Sequence, residues 1–200
     1  TVGNDFPINA SYAFFPDSVP QRAFDTDKAA FHYKKSGHDG PIVLRTSNAA
    51  FNGAEDAAVL FQASCAEAGI PIEIKREPSD GYWSNVWNVQ PFSVSYQSGR
   101  LTQDQMYTVA YQSEAVWNDT RWKRPEFDAM LLAARAELDQ NRRKSIYTSM
   151  ALMLRDEGGL IVPMFNDFID ASTTKLEGQL TDPASPISDS KIMLRSWLAS

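Results

Sequence analysis

The sequence predicts an α/β protein in which helices flank a mixed sheet. Three observations lead to this fold class. Residues 41–76 follow a strand, amphipathic helix, strand pattern, typical of a β-α-β unit with parallel strands and a right-handed crossover. Residues 92–96 alternate apolar and polar side chains as a further strand. Two adjacent amphipathic helices, starting at Pro125 and Asp139, then lead into an apolar strand at residues 160–165.

Length and composition limit the function classes. A chain of 200 residues is enough for one domain, or one and a half, and 43 % hydrophobic with 22 % charged residues is ordinary for a globular protein. The net charge of −6 and the absence of Lys/Arg clusters argue against nucleic-acid binding, which needs a basic face. No apolar run reaches membrane-spanning length.

The first half of the chain carries clear helix signals. An extended, proline-rich segment occupies residues 1–24, and Asp25 or Thr26 then caps a helix that Gly37 closes. Asn52 with Glu55 predicts the start of the helix in the β-α-β unit, which ends at Gly69. Its expected apolar face consists of Ala57, Leu60, Phe61, Ser64, Cys65 and Ala68. The strand that follows covers residues 70–75.

Aromatic residues mark two further segments. Residues 79–88 predict a short helical turn in which Trp83 and Trp87 are a packing pair or, alternatively, ligand platforms. Trp117 to Trp122 is either a recognition loop or a plug at the edge of the core. Between them, Thr102 with Gln105 forms a capping box that starts a helix. The preceding turn, residues 96–100, follows the end of a strand, where α/β proteins bind ligands.

The last third is predicted to be helical and then polar. Pro125 suits the first position of a helix, whose apolar stripe consists of Phe127, Leu131, Ala134 and Leu138. The helix from Asp139 buries Ile146, Tyr147, Met150, Met153 and Leu154 and stops at Gly158-Gly159. The chain becomes polar from Asn166 onward, with an extended loop at 181–190 and an apolar end at 192–198.

Several chemistries find no support. The sequence contains neither G-x-G-x-x-G nor G-x-x-x-x-G-K-[ST], so nucleotide binding is disfavoured, and it lacks a G-x-S-x-G elbow. His32 and His38 share no helix face, and residues 166–170 lack the Gly and Glu of a calcium loop, so we predict no metal and no cofactor. Cys65, the single cysteine, excludes an internal disulfide and is expected to pack inertly.

The order of many short motifs resembles the carboxy-terminal part of family 5 solute-binding proteins, the dipeptide- and oligopeptide-binding type that serves ABC importers. The motifs, in order, are the GNDFPI opening, FDTDKAAFHYKKSG, AGIPIEI, WNDTRW, PEFD, the D-x-x-x-R segment at Asp139 to Arg143 and EGGLIVPMF. The resemblance covers roughly residues 3–180.

The resemblance implies one lobe of a two-lobed periplasmic-binding-protein fold of type II. Residues 1–165 would be the second, ligand-covering lobe, and residues 166–200 a return segment toward the first lobe, so the chain would be a piece of a longer, periplasmic protein. The implied partners are a small-molecule or peptide ligand, a membrane ABC permease and the missing first lobe. The implied role is non-enzymatic, and a chain without its first lobe is expected to self-associate or to be marginally stable.

Carried over by position, the ligand-binding residues would be Tyr96, Gln97, Arg100, Trp117 and Asn118. Their chemistry suits a small polar ligand, because the Arg100 guanidinium matches a carboxylate, the aromatic rings offer flat faces and the Asn118 amide both donates and accepts. A surface ion pair of Arg100 with Asp104, four residues on, is an alternative use of that side chain.

The resemblance departs from the dipeptide-binding type at Tyr96-Gln97-Ser98-Gly99-Arg100, since that type has an Asp-rich turn near this position. This departure leaves sugars and opine-like amino-acid derivatives open as ligands. Two other functions compete with solute binding. One is a protein-interaction module that uses the aromatic loops, and the other is a carbohydrate-active enzyme domain.

Overall fold

The computed structural model describes residues 1–180, 187 and 191–199, which fall into two compact units. Unit 1 contains residues 1–21 and 98–200, and unit 2 contains residues 22–97. The elements of unit 2 are α1 (Thr26–Ser36), β1 (Ile42–Thr46), α2 (Ala54–Glu67), β2 (Ile72–Arg76) and α3 (Tyr82–Asn85). Those of unit 1 are α4 (Gln103–Ala110), α5 (Pro125–Ala136), α6 (Gln140–Glu157), β3 (Leu176–Glu177), α7 (Ile192–Arg195) and β4 (Trp197–Leu198).

The predicted β-α-β unit is present in unit 2. Strands β1 and β2 pair in parallel from Ile42 opposite Ile72 to Thr46 opposite Arg76, with α2 as the connection. The third predicted strand, residues 92–96, is only partly formed. A parallel bridge joins Ser93 to Arg45, whose N–H donates to Phe92 O at 3.1 Å and whose carbonyl accepts the Val94 N–H at 2.9 Å. After this bridge, residues 94–100 belong to no helix or strand.

Helix α1 begins as predicted, with the Asp25 carboxylate accepting the Lys28 N–H and Gly37 closing the helix in the left-handed region. The predicted Asn52 cap of α2 is wrong, because the N-cap residue is Gly53 and the Glu55 N–H instead meets the Asn48 side chain. The predicted apolar face of α2 is correct in part, because Phe61 and Cys65 pack against the core of unit 2. Ala54 and Ala58 are buried, whereas Leu60 is 70 % exposed. Small residues let the helix approach the strands closely, and the large apolar side chain lies on the outer side.

Unit 1 has a helical core. Helices α4, α5 and α6 contribute buried residues at i, i+3 and i+4 spacing, and the amino-terminal segment adds Phe6, Ile8, Tyr12 and Val19 to the same cluster. The predicted starts are confirmed: Pro125 is the first residue of α5, the Asp139 carboxylate accepts the Arg142 N–H, and Thr102 caps α4.

Two predictions in unit 1 need correction. Leu138 is 85 % exposed, because α5 ends at Ala136 and the helical period no longer applies beyond it. Residues 160–165 do not form a full strand, since Pro163 lacks an N–H and only Met164 makes a bridge, with Val2.

The end of the chain carries the second sheet. Strands β3 and β4 form an antiparallel pair, so parallel and antiparallel pairing occur in two separate two-stranded sheets within the α/β class. The loop predicted at 181–190 lies outside the described residues except for Ile187, and the domain boundary at residue 165 stays a prediction. Among the described helices, none combines the length and the apolar character needed to cross a bilayer.

Candidate functional site

The five predicted ligand residues are distributed over both units. Tyr96 and Gln97 belong to unit 2, and Arg100, Trp117 and Asn118 belong to unit 1. Within unit 1 the structure brings Arg100 and Trp117 into contact.

The Arg100 guanidinium lies over the Trp117 ring, with Cζ 5.7 Å from the ring centre, a cation–π contact. Its Nη1 donates to Ser98 O at 2.9 Å and to Gly99 O at 3.1 Å. Nε and Nη2 donate to no other group in the described part of the chain, so one edge of the guanidinium makes no hydrogen bond to those residues. The alternative ion pair of Arg100 with Asp104 is wrong, because the Asp104 carboxylate accepts two bonds of 3.0 Å from Arg135.

The backbone around Arg100 is held on both sides. The Arg100 N–H donates to the Tyr12 hydroxyl oxygen at 2.7 Å. Two residues later the capping box fixes the start of α4, with Thr102 Oγ1 accepting the Gln105 N–H at 3.2 Å and Gln105 Oε1 accepting the Leu101 N–H at 3.1 Å.

Trp117 stands at an open groove, which we call the Arg100–Trp117 groove. It has a volume of about 680 Å³ and is lined by Arg100, Thr108, Val109, Glu114, Ala115, Val116 and Trp117. The Trp117 side chain is 46 % exposed. Glu114 also forms an ion pair with Lys123 at 2.9 Å, so the acidic group of the groove is partly compensated. The lining therefore combines an apolar shelf with a guanidinium.

Asn118 is buried and its amide is committed to the loop. Nδ2 donates to Trp122 O at 2.7 Å and to Gln112 O at 3.3 Å, and Oδ1 accepts from Thr120 Oγ1 at 3.0 Å. Only 7 % of the residue is exposed. These bonds hold the chain on either side of Trp117, so in this structure Asn118 organises the loop; its ligand contact stays a prediction.

The two tryptophans of this loop have different roles. Trp122 is buried in the core of unit 1, edge-on to Phe127 with ring centres 5.1 Å apart. It is therefore the plug, while Trp117, with its half-exposed ring, remains available as a recognition residue.

In unit 2, Tyr96 extends an aromatic ladder. Its ring meets Trp83 edge-on at 5.5 Å, and Trp83 in turn meets Trp87 at 5.8 Å, which confirms the predicted packing pair. Tyr96 is 54 % exposed, and Trp83 is also exposed. Gln97 is half-buried and makes no hydrogen bond to another described residue. No residue from 81 to 99 is charged, so the surface these residues provide is polar but non-ionic.

Tyr82 and Arg45 hold the segment that leads to Tyr96 by hydrogen bonds to residues 92–94. Burial, followed by the nearby Glu77 charge, raises the pKa of Tyr82 to about 12, and its hydroxyl donates to Val94 O at 2.6 Å. Burial alone would raise the pKa of the Glu77 carboxyl, but hydrogen bonds from Arg45 and Lys75 outweigh it and lower that pKa. The Tyr82 hydroxyl and the Arg45 backbone thus hold the 92–94 segment, while Glu77 pairs with the Arg45 side chain.

No cluster suitable for metal binding occurs among the described residues, where no three His, Cys, Asp or Glu side chains converge. Cys65 is half-buried, and burial raises the pKa of its thiol, which fits a packing role.

Sequence reasoning missed two residues. Tyr12 contacts Arg100 across a separation of 88 residues, for which no local pattern exists. The sequence predicts the contact of Trp83 with Trp87 but not its contact with Tyr96, because that contact depends on how residues 86–95 fold back toward Trp83. The charge-free stretch from 81 to 99 is the signal that could have grouped Trp83 with Tyr96.

Comparisons with known proteins point to one fold. No family model and no curated protein matches the chain. Among solved structures, a dipeptide-binding protein from Pseudoalteromonas sp. SM9913 in complex with Met-Leu is similar, with a TM-score of 0.76 and 16 % identity over 98 % of this chain and 40 % of that one. The oligopeptide-binding protein AppA from Bacillus subtilis, bound to a nonapeptide, has a TM-score of 0.73 and 18 % identity over 100 % and 43 % of the two chains.

A third similar structure is the ABC transporter-associated periplasmic binding protein DppA from Helicobacter pylori in complex with the peptide STSA. It has a TM-score of 0.73 and 17 % identity over 98 % of this chain and 38 % of that one. The chain therefore spans 38–43 % of the length of these three proteins. At such identities the likeness establishes the fold, which is the α/β architecture of one lobe of a periplasmic binding protein.

Proposed function

We propose that this chain is the ligand-covering lobe of a solute-binding protein that delivers a peptide or a related small polar solute to an ABC permease. The observation that carries the proposal is the fold match over nearly the whole chain to three proteins solved with peptides. Because the chain spans under half of their length, the complete protein would include a first lobe, with residues 1–165 as the second lobe and 166–200 as the return segment. A periplasmic location and a non-catalytic role follow from the same proposal.

In unit 1 we propose the Arg100–Trp117 groove as a ligand contact. The guanidinium keeps Nε and Nη2 for a ligand oxygen, and the Trp117 ring offers a flat apolar face next to it. Asn118 contributes by holding the loop that carries Trp117, in addition to any ligand contact of its own.

In unit 2 we propose Tyr96 and Gln97 as ligand contacts. The exposed Tyr96 ring, backed by Trp83, presents an apolar face, and Gln97 supplies a neutral donor and acceptor. Uncharged groups of a peptide, or of a sugar, suit this surface.

The proposal is tested by NMR titration of the ¹⁵N-labelled chain with Met-Leu, Ser-Thr-Ser-Ala and cellobiose. Because one lobe supplies only part of the contacts, we expect a dissociation constant on the order of 1 mM for at least one probe. The Trp117 indole signal, identified with a Trp117→Phe variant, should shift on titration.

Two variants provide the specificity control. Trp117→Ala should weaken binding about fivefold, whereas Trp197→Ala, which removes another exposed tryptophan of unit 1, should leave binding unchanged. If no probe shifts any signal at 20-fold excess over that expected constant, or if the two variants behave alike, the proposal is refuted and a protein-interaction role becomes the better explanation of the aromatic loops.

A further inference from the structure

We propose that Tyr12 is a positioning residue of the Arg100–Trp117 groove. Its hydroxyl oxygen accepts the Arg100 N–H and thereby fixes the direction in which the guanidinium edge meets a ligand carboxylate. The inference rests on the proposed function and deepens it, because it names the part of the molecule that sets selectivity at that site.

The segment that carries Tyr12 is itself firmly anchored. Tyr12 is buried in the core of unit 1, and the Phe15 N–H donates to its carbonyl at 3.3 Å. The next carbonyl, that of Ala13, accepts a bond of 2.7 Å from the Gln103 side chain, which is almost fully buried in the first turn of α4. The Tyr12 hydroxyl is therefore a fixed reference point rather than a mobile surface group.

Phe14 adds to this anchoring. Its backbone has φ 62°, a left-handed conformation that a non-glycine residue adopts only when its surroundings hold it there. Its ring stacks on Tyr147 of α6, with ring centres 6.0 Å apart. Two independent contacts, one to α4 and one to α6, thus hold the chain on the far side of the Tyr12 hydroxyl.

The segment that carries Arg100 has few constraints of its own. Residues 98–100 belong to no helix or strand, and the two Nη1 bonds of Arg100 go to carbonyls of that same segment, so they move with it. In the described part of the chain, the Arg100 N–H bond to Tyr12 is the hydrogen bond that ties residues 98–100 to a distant part of unit 1. Without it, the stack on Trp117 alone would restrain the guanidinium.

This geometry has a consequence for selectivity. Two parallel bonds from a guanidinium to a carboxylate require the planar groups to face each other, so their strength depends on orientation. An amide in place of the carboxylate takes one weaker bond and depends less on orientation. Loss of the Tyr12 hydroxyl should therefore weaken binding of an acid more than binding of the matching amide.

The experiment compares wild type, Tyr12→Phe and the matched control Tyr33→Phe. The Tyr33 hydroxyl makes a bond of similar length, 2.8 Å to Gly40 O, in unit 2. The probes are N-acetyl-Leu-Leu, with a free carboxylate, and N-acetyl-Leu-Leu amide, titrated into each ¹⁵N-labelled protein. Amide hydrogen exchange at Arg100 is measured in the same samples without probe.

We expect Tyr12→Phe to weaken binding of the acid about tenfold, which corresponds to about 1.4 kcal/mol, and binding of the amide less than twofold. Exchange of the Arg100 amide should accelerate about tenfold, while Tyr33→Phe changes neither quantity. In an Arg100→Gln background, Tyr12→Phe should have no further effect on acid binding, because the group that it positions is gone.

Other outcomes overturn the inference. Equal weakening for acid and amide would show a general structural role, and unchanged acid binding in Tyr12→Phe would show that the hydroxyl positions nothing; the proposed function survives both results, because the wild type still binds. If neither probe binds the wild type, while Met-Leu, Ser-Thr-Ser-Ala and cellobiose also fail, the proposed function fails and the inference falls with it.

Discussion

Replacement of Asn118 by Asp tests whether this residue organises the Trp117 loop. The change keeps the shape of the side chain but turns Nδ2, which donates to the carbonyls of Trp122 and Gln112, into an acceptor. Two hydrogen bonds are lost at about 1 kcal/mol each, and two carbonyls then face a buried charge, which adds a desolvation cost of similar size. The expected loss in the free energy of unfolding is about 3–5 kcal/mol at pH 7.

The loss should depend on pH with a definite sign. Burial next to two carbonyls raises the pKa of the new carboxyl in the folded state above its unfolded value of about 3.9, because only the protonated form can donate to a carbonyl. A raised folded-state pKa gives stability that is present below about pH 3.9 and lost as pH rises through the folded-state pKa. The difference between variant and wild type should therefore shrink at pH 4, by up to about 1.4 kcal/mol per pH unit.

Urea unfolding at pH 7 and pH 4 measures both effects, with Asn52→Asp as the control at an exposed asparagine. A loss below about 1 kcal/mol for Asn118→Asp at pH 7, or a loss that does not change with pH, would refute the structural role. If binding then changed while stability did not, the original prediction of Asn118 as a ligand residue would be the better account.

Three further predictions concern unit 1. Tyr107→Phe removes a buried hydroxyl that has no hydrogen-bond partner, so it should raise the free energy of unfolding by about 1–2 kcal/mol at pH 7. Because burial raises the pKa of Tyr107, this residue should lower the free energy of unfolding of the wild type above pH 10, by up to about 1.4 kcal/mol per pH unit. Urea unfolding at pH 7 and pH 11 should therefore show a smaller loss for Tyr107→Phe than for the wild type. In urea unfolding, Leu131→Ala should lower the free energy of unfolding by about 2–5 kcal/mol and Leu138→Ala by less than about 0.5 kcal/mol, because only Leu131 is buried. Comparable losses for the two variants would contradict the observed end of α5. Gly3→Ala should lower the free energy of unfolding by about 1–3 kcal/mol, and with it the melting temperature, because a Cβ would overlap the Val162 carbonyl. An unchanged melting temperature would contradict this close approach of Gly3 to Val162.

Local signals in the sequence were sufficient for the helices and for the parallel strand pair. Asp25, Thr102 and Asp139 are caps in the structure because a short polar side chain satisfies the first backbone N–H groups wherever the helix begins. The helical periodicity of apolar residues was less reliable for predicting which residues at the margins of a helix face are buried. Leu60 and Leu138 fit the helical period, but the choice of inner face and the last residue of a helix depend on tertiary packing.

The candidate site was predictable in residue type and not in arrangement. An arginine and a tryptophan 17 positions apart give no indication in the sequence that they stack. The sequence was as compatible with an ion pair of Arg100 and Asp104 as with a ligand carboxylate on Arg100. Long-range bonds such as that of Arg100 to Tyr12 leave no periodic trace in a single sequence. The strand at 92–96 was overestimated for the complementary reason, since alternation describes which side chains face inward but not whether a partner backbone is present.

The antiparallel contact between residues 1–3 and 163–165 has a mechanical consequence. The Thr1 amino group donates to Phe165 O at 2.9 Å, the Phe165 N–H donates to Thr1 O at 2.8 Å, and the Gly3 N–H donates to Pro163 O at 2.9 Å. Tension applied between Thr1 and Phe165 acts at the same end of this pair, so it opens the bonds one after another instead of shearing them together. The helical core, which lies between these two residues in the chain, would bear little of the applied force until the pair has separated. The contact should therefore break at a low force, before the helical core unfolds.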